Sequence, residues 1–164
     1  MGIEEDIGFF ERVPMFSLLG RPALRILAIG AESQYLQSGA VLFNAGDPAD
    51  GGYIIQEGSL TLEPGTPTEG IVELIAGPGT LLGELALLTD TVRPATASAL
   101  EPTIVVRVSR SLFLKTLEGY PAAAKKLRDT MSARVDQWTR EIANVRRVLD
   151  TRDAPSFRPG RGDN

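Results

Sequence analysis

Neither cysteine nor histidine occurs anywhere in the 164 residues. Without cysteine there can be no disulfide, no thiolate nucleophile and no Cys-based zinc or iron–sulfur site. Without histidine, histidine-based triads, the usual general base and most transition-metal sites are excluded. Carboxylate-only chemistry survives this cut, but no motif announces it, so no enzyme is expected. Basic excess is missing too: 17 Lys and Arg face 21 Asp and Glu, for a net charge of −4 and a pI near 4.9. That balance argues against nucleic acid as the main partner. No apolar run approaches the length needed to cross a bilayer. The start, MGIEEDIGFF, is acidic where a secretory leader would be basic. Gly2 invites myristoylation only with Ser or Thr at position six, and Asp6 stands there. A soluble, cytoplasmic protein without a membrane partner is the expectation.

What is present is ordinary globular material, 43% hydrophobic and 23% charged, enough for one domain with a real core. Glu4–Val13 reads as a short amphipathic helix through Ile7, Phe9, Phe10 and Val13, ended by Pro14. A second helical run follows Pro22 through Leu24, Ile26 and Leu27, with Gly30 as its stop. From Ser33 to Val108 the pattern changes to short β segments separated by glycine-containing turns. The candidates are Gln34–Leu36, Val41–Asn44, Tyr53–Gln56, Ser59–Leu62, Ile71–Ile75, Ala95–Leu100 and Thr103–Val108. Glu57-Gly58 is a candidate tight hairpin between two of them. Ser111–Glu118 then reads as a short helix, and a long one is predicted from Pro121 to about Leu149. Leu127, Met131, Val135, Trp138, Ile142, Val145 and Leu149 form its apolar stripe, spaced towards its end as in a coiled-coil seam. The predicted organisation is a helical segment over 1–32, a β-roll over 33–109, C-terminal helices over 110–149 and a disordered tail over 150–164. The fold class is mainly β with flanking helices, a jelly-roll-like double-stranded β-helix.

The stretch with chemical character is Gly83–Ala99, GELALLTDTVRPATASA. Gly83 lets the backbone approach a ligand closely, and the turn behind it offers amides to an anion. Arg93 supplies a fork that matches a phosphate bidentately. Glu84 would repel a bare phosphate, but an ionised carboxylate accepts well from a hydroxyl. An anion with a hydroxyl close by describes the sugar-phosphate of a nucleotide.

Gly39 before a strand, Gly46-Asp47-Pro48-Ala49-Asp50, Tyr53-Ile54-Ile55 with Gly58, and Pro78-Gly79 precede this stretch in order. With Gly83-Glu84-Leu85-Ala86-Leu87, Arg93 and Ala95-Thr96, the series from about Phe16 to Leu149 resembles the cyclic nucleotide-binding domain. That is the family of the catabolite activator protein and the protein kinase A regulatory subunits. The resemblance implies that Glu84 accepts the ribose 2′-hydroxyl and Arg93 binds the cyclic phosphate. It further implies that Gly83, Leu85 and Ala86 cap the ligand by their amides, with Pro94 and Ala95 adjoining the phosphate. Leu62 would cover the base, and Thr139 on the long helix would reach it; Trp138 would either stack there or belong to a dimer seam. No cofactor is implied; the ligand is cyclic AMP, with cyclic GMP as second candidate.

Two departures stand out. Leu82 replaces a common aromatic residue. Pro94 replaces a residue whose amide donates to the phosphate, and proline has no N–H. The bland readings remain beside the sharp ones: Glu84 and Arg93 as an internal ion pair, and the long helix lying on the roll rather than dimerising. Lys125–Lys126 and Arg146–Arg147 read as a solvated face, and the Arg161–Asp163 tripeptide as chance. Cupin-type enzymes share the roll, but their metal sites need histidine. A helix-turn-helix output domain is not expected in the fifteen residues after Leu149. The chain is expected to be a stand-alone cyclic nucleotide sensor, a homodimer through its C-terminal helix, acting on an unknown effector protein without binding DNA. The alternative is a degenerate roll that binds no nucleotide and serves as a dimeric adaptor.

Overall fold

The computed structural model describes residues 2–65 and 74–132. Helix α1 (Ile3–Glu11) carries Glu4, Glu5 and Asp6 in its first turn, where acids meet the positive end of the helix dipole. Ile7, Phe9 and Phe10 are its buried side. A single 3-10 turn, Phe16–Leu18, leads to α2 (Arg21–Gly30), which tolerates Pro22 because the first-turn amides need no intrahelical acceptor. Phe16 meets Phe10 edge-on at 5.5 Å and stacks on Phe113 at 5.7 Å, so this N-terminal segment and helix α3 (Arg110–Gly119) share one aromatic core. Gly30 is the last residue of α2, as its expected role as a stop requires. It serves also as a point of close approach, since a Cβ there would lie 2.8 Å from Leu112 Cδ2. Ile26, counted with the apolar face, is 40% exposed and lies at its edge.

Ten antiparallel strands are described between these helices. They are β1 (Glu32–Leu36), β2 (Val41–Phe43), β3 (Pro48–Ala49), β4 (Gly51–Glu57), β5 (Leu60–Pro64), β6 (Leu74–Ala76), β7 (Leu81–Leu82), β8 (Thr91–Val92), β9 (Ala95–Ala99) and β10 (Thr103–Ser109). Two four-stranded sheets, ordered β1-β10-β4-β7 and β2-β9-β5-β6, form the roll, with a short β3-β8 pair beside them. Leu36, Ile55 and Val105 from the first sheet and Leu60, Ala76, Ala97 and Ala99 from the second make its core. The alternation of small residues on β9 has its cause here: Ala97 and Ala99 are buried while Thr96 and Ser98 are only partly so.

The hairpin expected at Glu57-Gly58 is not formed. The strands it joins, β4 and β5, belong to different sheets, so this is a corner between them. Gly58 has φ +89°, and a Cβ there would sit 2.5 Å from the Pro102 carbonyl oxygen. The two-residue strands β3, β7 and β8 were not anticipated, being too short to show an alternation. Of Ile71–Ile75, only Leu74 onward lies in the described residues, where it forms β6.

Ser109 ends β10 and caps α3, its hydroxyl accepting from the Leu112 amide at 3.1 Å. Ser109→Ala is expected to cost about 1 kcal/mol, as cap removals do, read as a lowered urea midpoint at constant slope.

The chain divides into two compact units, Met1–Ala124 and Lys125–Asn164. Residues 121–124 of the first and 125–132 of the second are helical. Within the second, Lys125 and Asp129 pair at 2.8 Å. The expected seam beyond Met131, with Trp138 and Thr139, and the tail from residue 150 lie outside the described residues. Among the described residues no helix is long and apolar enough to cross a membrane.

Candidate functional site

Gly83 follows β7 with φ +93°, a conformation that costs a side-chain-bearing residue free energy. A Cβ at this position would lie 2.6 Å from Arg93 Nη1 and 2.9 Å from the Gly51 carbonyl oxygen. Behind it Leu85–Leu87 form one 3-10 turn. A single turn carries little dipole, so charge in this site comes from side chains, above all Arg93.

The Gly46-Asp47 turn fixes the backbone of Arg93. The Arg93 amide donates to the Asp47 carbonyl at 2.8 Å, and the Gly46 amide donates to the Arg93 carbonyl at 2.8 Å. Strand β3 then pairs with β8 directly before the arginine, Pro48 opposite Val92. The side chain is only 5% exposed. Its Nη2 donates to the Gly51 carbonyl at 2.9 Å, while Nη1 is buried without a hydrogen-bond partner. Nη1 therefore makes no hydrogen bond to Glu84. The guanidinium carbon stands 4.5 Å over the Phe43 ring and 5.4 Å over that of Tyr53. Burial pushes the Arg93 pKa below its ordinary value; Tyr53, Asp50 and Asp47 offset part of this, and Arg107 adds to it. Asp50 itself is bound by Arg107 at 2.9 Å, which holds its carboxyl below the usual range.

Gly83, Glu84, Leu85, Ala86, Arg93, Pro94, Ala95 and Leu62 all line one cleft of about 440 Å³. That volume falls in the range of roughly 300–1,000 Å³ usual for small-molecule sites. Glu84 is half-buried, whereas Leu85 and Val92 are exposed and give the cleft an apolar rim. Pro94 is exposed at its edge, its carbonyl accepting from the Gly65 amide at 3.1 Å. Thr139 lies outside the described residues.

The family model described as "Cyclic nucleotide-binding domain" matches residues 33–120, which hold this whole cleft. The chain belongs to the cyclic nucleotide-binding domain family. A domain of this family is typically regulatory rather than catalytic. Over 118 residues the chain is 29% identical to a cyclic nucleotide-gated potassium channel of Mesorhizobium japonicum, covering 72% of this chain and 32% of the channel. Over 141 residues it is 31% identical to the lysophospholipase nte1 of Aspergillus oryzae, covering 79% of this chain and 9% of that enzyme. The chain thus spans a third or less of these curated relatives. A solved cyclic nucleotide-binding-like protein from Brucella abortus is 42% identical, with a TM-score of 0.62, covering 70% of this chain and 98% of that one.

Nothing in the sequence marks Arg110 as an anchor of this cyclic nucleotide-binding domain's cleft, which it does not itself line. Its Nη1 donates to the carbonyls of Ala49 at 2.9 Å, Ala86 at 3.2 Å and Thr89 at 3.0 Å, and its Nη2 to Asp90 at 2.7 Å. One side chain thereby ties the turn after Gly83 to the β3 corner and to the start of α3. No local pattern announces a contact between residues 61 apart.

Proposed function

We propose that the cleft binds a cyclic nucleotide, cyclic AMP, and that the protein is a regulatory sensor. The observation that carries this reading is Arg93. A buried guanidinium with an unpartnered Nη1 is costly, and an anion in the cleft would relieve that cost. Glu84 on the same wall would accept the ribose hydroxyl, and Leu62, Leu85 and Val92 offer apolar cover for a base. The proposed output is a shift of the C-terminal helical segment, in a homodimer, that an effector protein reads. Ligand drives such a shift only by binding one state more tightly than the other.

Calorimetric titration of nucleotide-stripped protein with cyclic AMP and cyclic GMP tests the reading. Micromolar or tighter binding, removed by Arg93→Ala, is expected, with cyclic AMP preferred because Pro94 offers no hydroxyl to a guanine. No heat with either nucleotide at millimolar concentration would leave the second reading, a dimeric adaptor that binds no nucleotide. Pro94 is the observation that favours it. Pro94→Ala restores an N–H beside the phosphate position, and a hydrogen bond to a charged group contributes about 1.5–3 kcal/mol. This substitution is therefore expected to tighten cyclic AMP binding about ten- to a hundredfold in the same titration.

A further inference from the structure

Among the described residues Arg93 is a buried cation with no carboxylate hydrogen-bonded to it; its Nη2 donates to the Gly51 carbonyl at 2.9 Å, and two rings lie against the guanidinium. Asp50, the acid on the adjoining corner, is turned to Arg107. Asp47 is occupied in its own turn, accepting from the Asn44 amide at 2.9 Å. Phe43 comes from β2 in one sheet and Tyr53 from β4 in the other, so the guanidinium lies where the two sheets face each other. The rings themselves are 5.9 Å apart and tilted by 33°.

We infer that Phe43 and Tyr53 are positioning residues for Arg93, a pair of aromatic faces that hold the guanidinium in place of a carboxylate. The physical distinction matters for binding. A carboxylate would fix the arginine but cancel its charge and compete with an incoming anion for its N–H groups. A ring face attracts the cation through its quadrupole and occupies none of those donors. The guanidinium is fixed while its positive charge and Nη1 stay uncommitted, which a site for a singly charged phosphodiester needs. The inference rests on the proposed nucleotide site for its purpose, though the clamp itself is testable without ligand.

The test replaces Phe43 by phenylalanines bearing one, two and three ring fluorines, which drain the negative face at nearly constant shape. Urea unfolding is measured in the wild-type background and in Arg93→Met. With the arginine present, the folding constant is expected to fall stepwise, about tenfold over the series. With Arg93→Met it should stay flat. A purely packing role for Phe43 would give the same profile in both backgrounds, and that result, or no trend in either, overturns the clamp. Tyr53→Phe keeps the ring and should retain the ring-current shift of the Arg93 side-chain NMR signals, whereas Tyr53→Leu should reduce it. A second arm titrates cyclic AMP. The trifluorinated protein should bind about tenfold more weakly, because a loosened arginine must be ordered on binding. If wild type binds no cyclic AMP while the fluorine trend is present, the nucleotide reading falls and the clamp stands. If wild type binds and the trend is absent, the clamp falls alone.

Discussion

Gly83→Ala is expected to lower the unfolding free energy by about 2–5 kcal/mol and to remove nucleotide binding. Two costs add. A residue with a side chain at φ +93° costs about 1–2 kcal/mol in backbone strain. The new methyl would also press on Arg93 Nη1 at 2.6 Å, the Gly51 carbonyl oxygen at 2.9 Å and Gly52 Cα at 3.3 Å, and overpacking of that kind costs about 1–3 kcal/mol. Two of those neighbours are backbone, so relief must come from moving the guanidinium, the group the site depends on. Gly39→Ala supplies the control: its φ is +89°, but a Cβ there meets nothing within 4 Å. It should show the strain alone, about 1–2 kcal/mol, with binding intact. Urea unfolding with cyclic AMP titration of both variants decides the matter; equal effects would mean that contact with Arg93 is unimportant.

Arg93→Met is expected to separate the two effects, losing binding while keeping stability. Binding of cyclic AMP should weaken roughly a thousandfold, the loss of two charge-assisted hydrogen bonds to one phosphate. Stability should stay within about 1 kcal/mol of wild type. Methionine fills much of the same space between Phe43 and Tyr53 and makes favourable sulfur–ring contacts. The ring attraction and the bond to Gly51 are lost, but so are the desolvation of a buried cation and its orphaned Nη1. A variant that is blind to ligand yet as stable as its parent is the mark of a group kept for binding. A drop of several kcal/mol would instead make Arg93 a structural cornerstone.

The order of the described helices and of the longer strands was legible because it rests on local signals, whereas the two-residue strands β3, β7 and β8 were not. Pro22 and Gly30 bracket α2, and Ser109 with the apolar positions behind it marks α3. The cleft was legible because Gly83, Glu84 and Arg93 lie within eleven residues, a spacing that sequence displays directly. What sequence could not display is pairing at long range. Glu57-Gly58 looks like a hairpin turn until β5 is seen to pair with β9 and β6, while β4 pairs with β10 and β7. Arg110 is an unremarkable basic residue at the start of a helix until its four acceptors, gathered from residues 49 to 90, are seen around it. Phe43 and Tyr53 read simply as residues of two predicted strands, and the cation between them follows only from the meeting of two sheets.

The closure of the roll bears on how the chain is made. Among the described residues strand β1 has a single strand neighbour, β10, pairing Glu32 with Arg107 and Leu36 with Thr103. Strand β4 takes its longer partner from the same strand, Tyr53 opposite Arg107. A ribosome that has delivered residues 32 to 100 has therefore released strands whose principal partner does not yet exist. Loop closure on this scale is slow, and the waiting edges are open to foreign strands. The candidate site matures later still, since the turn after Gly83 is anchored by Arg110, the residue after β10 ends. Nascent chains stalled before and after this point should differ sharply in protease resistance.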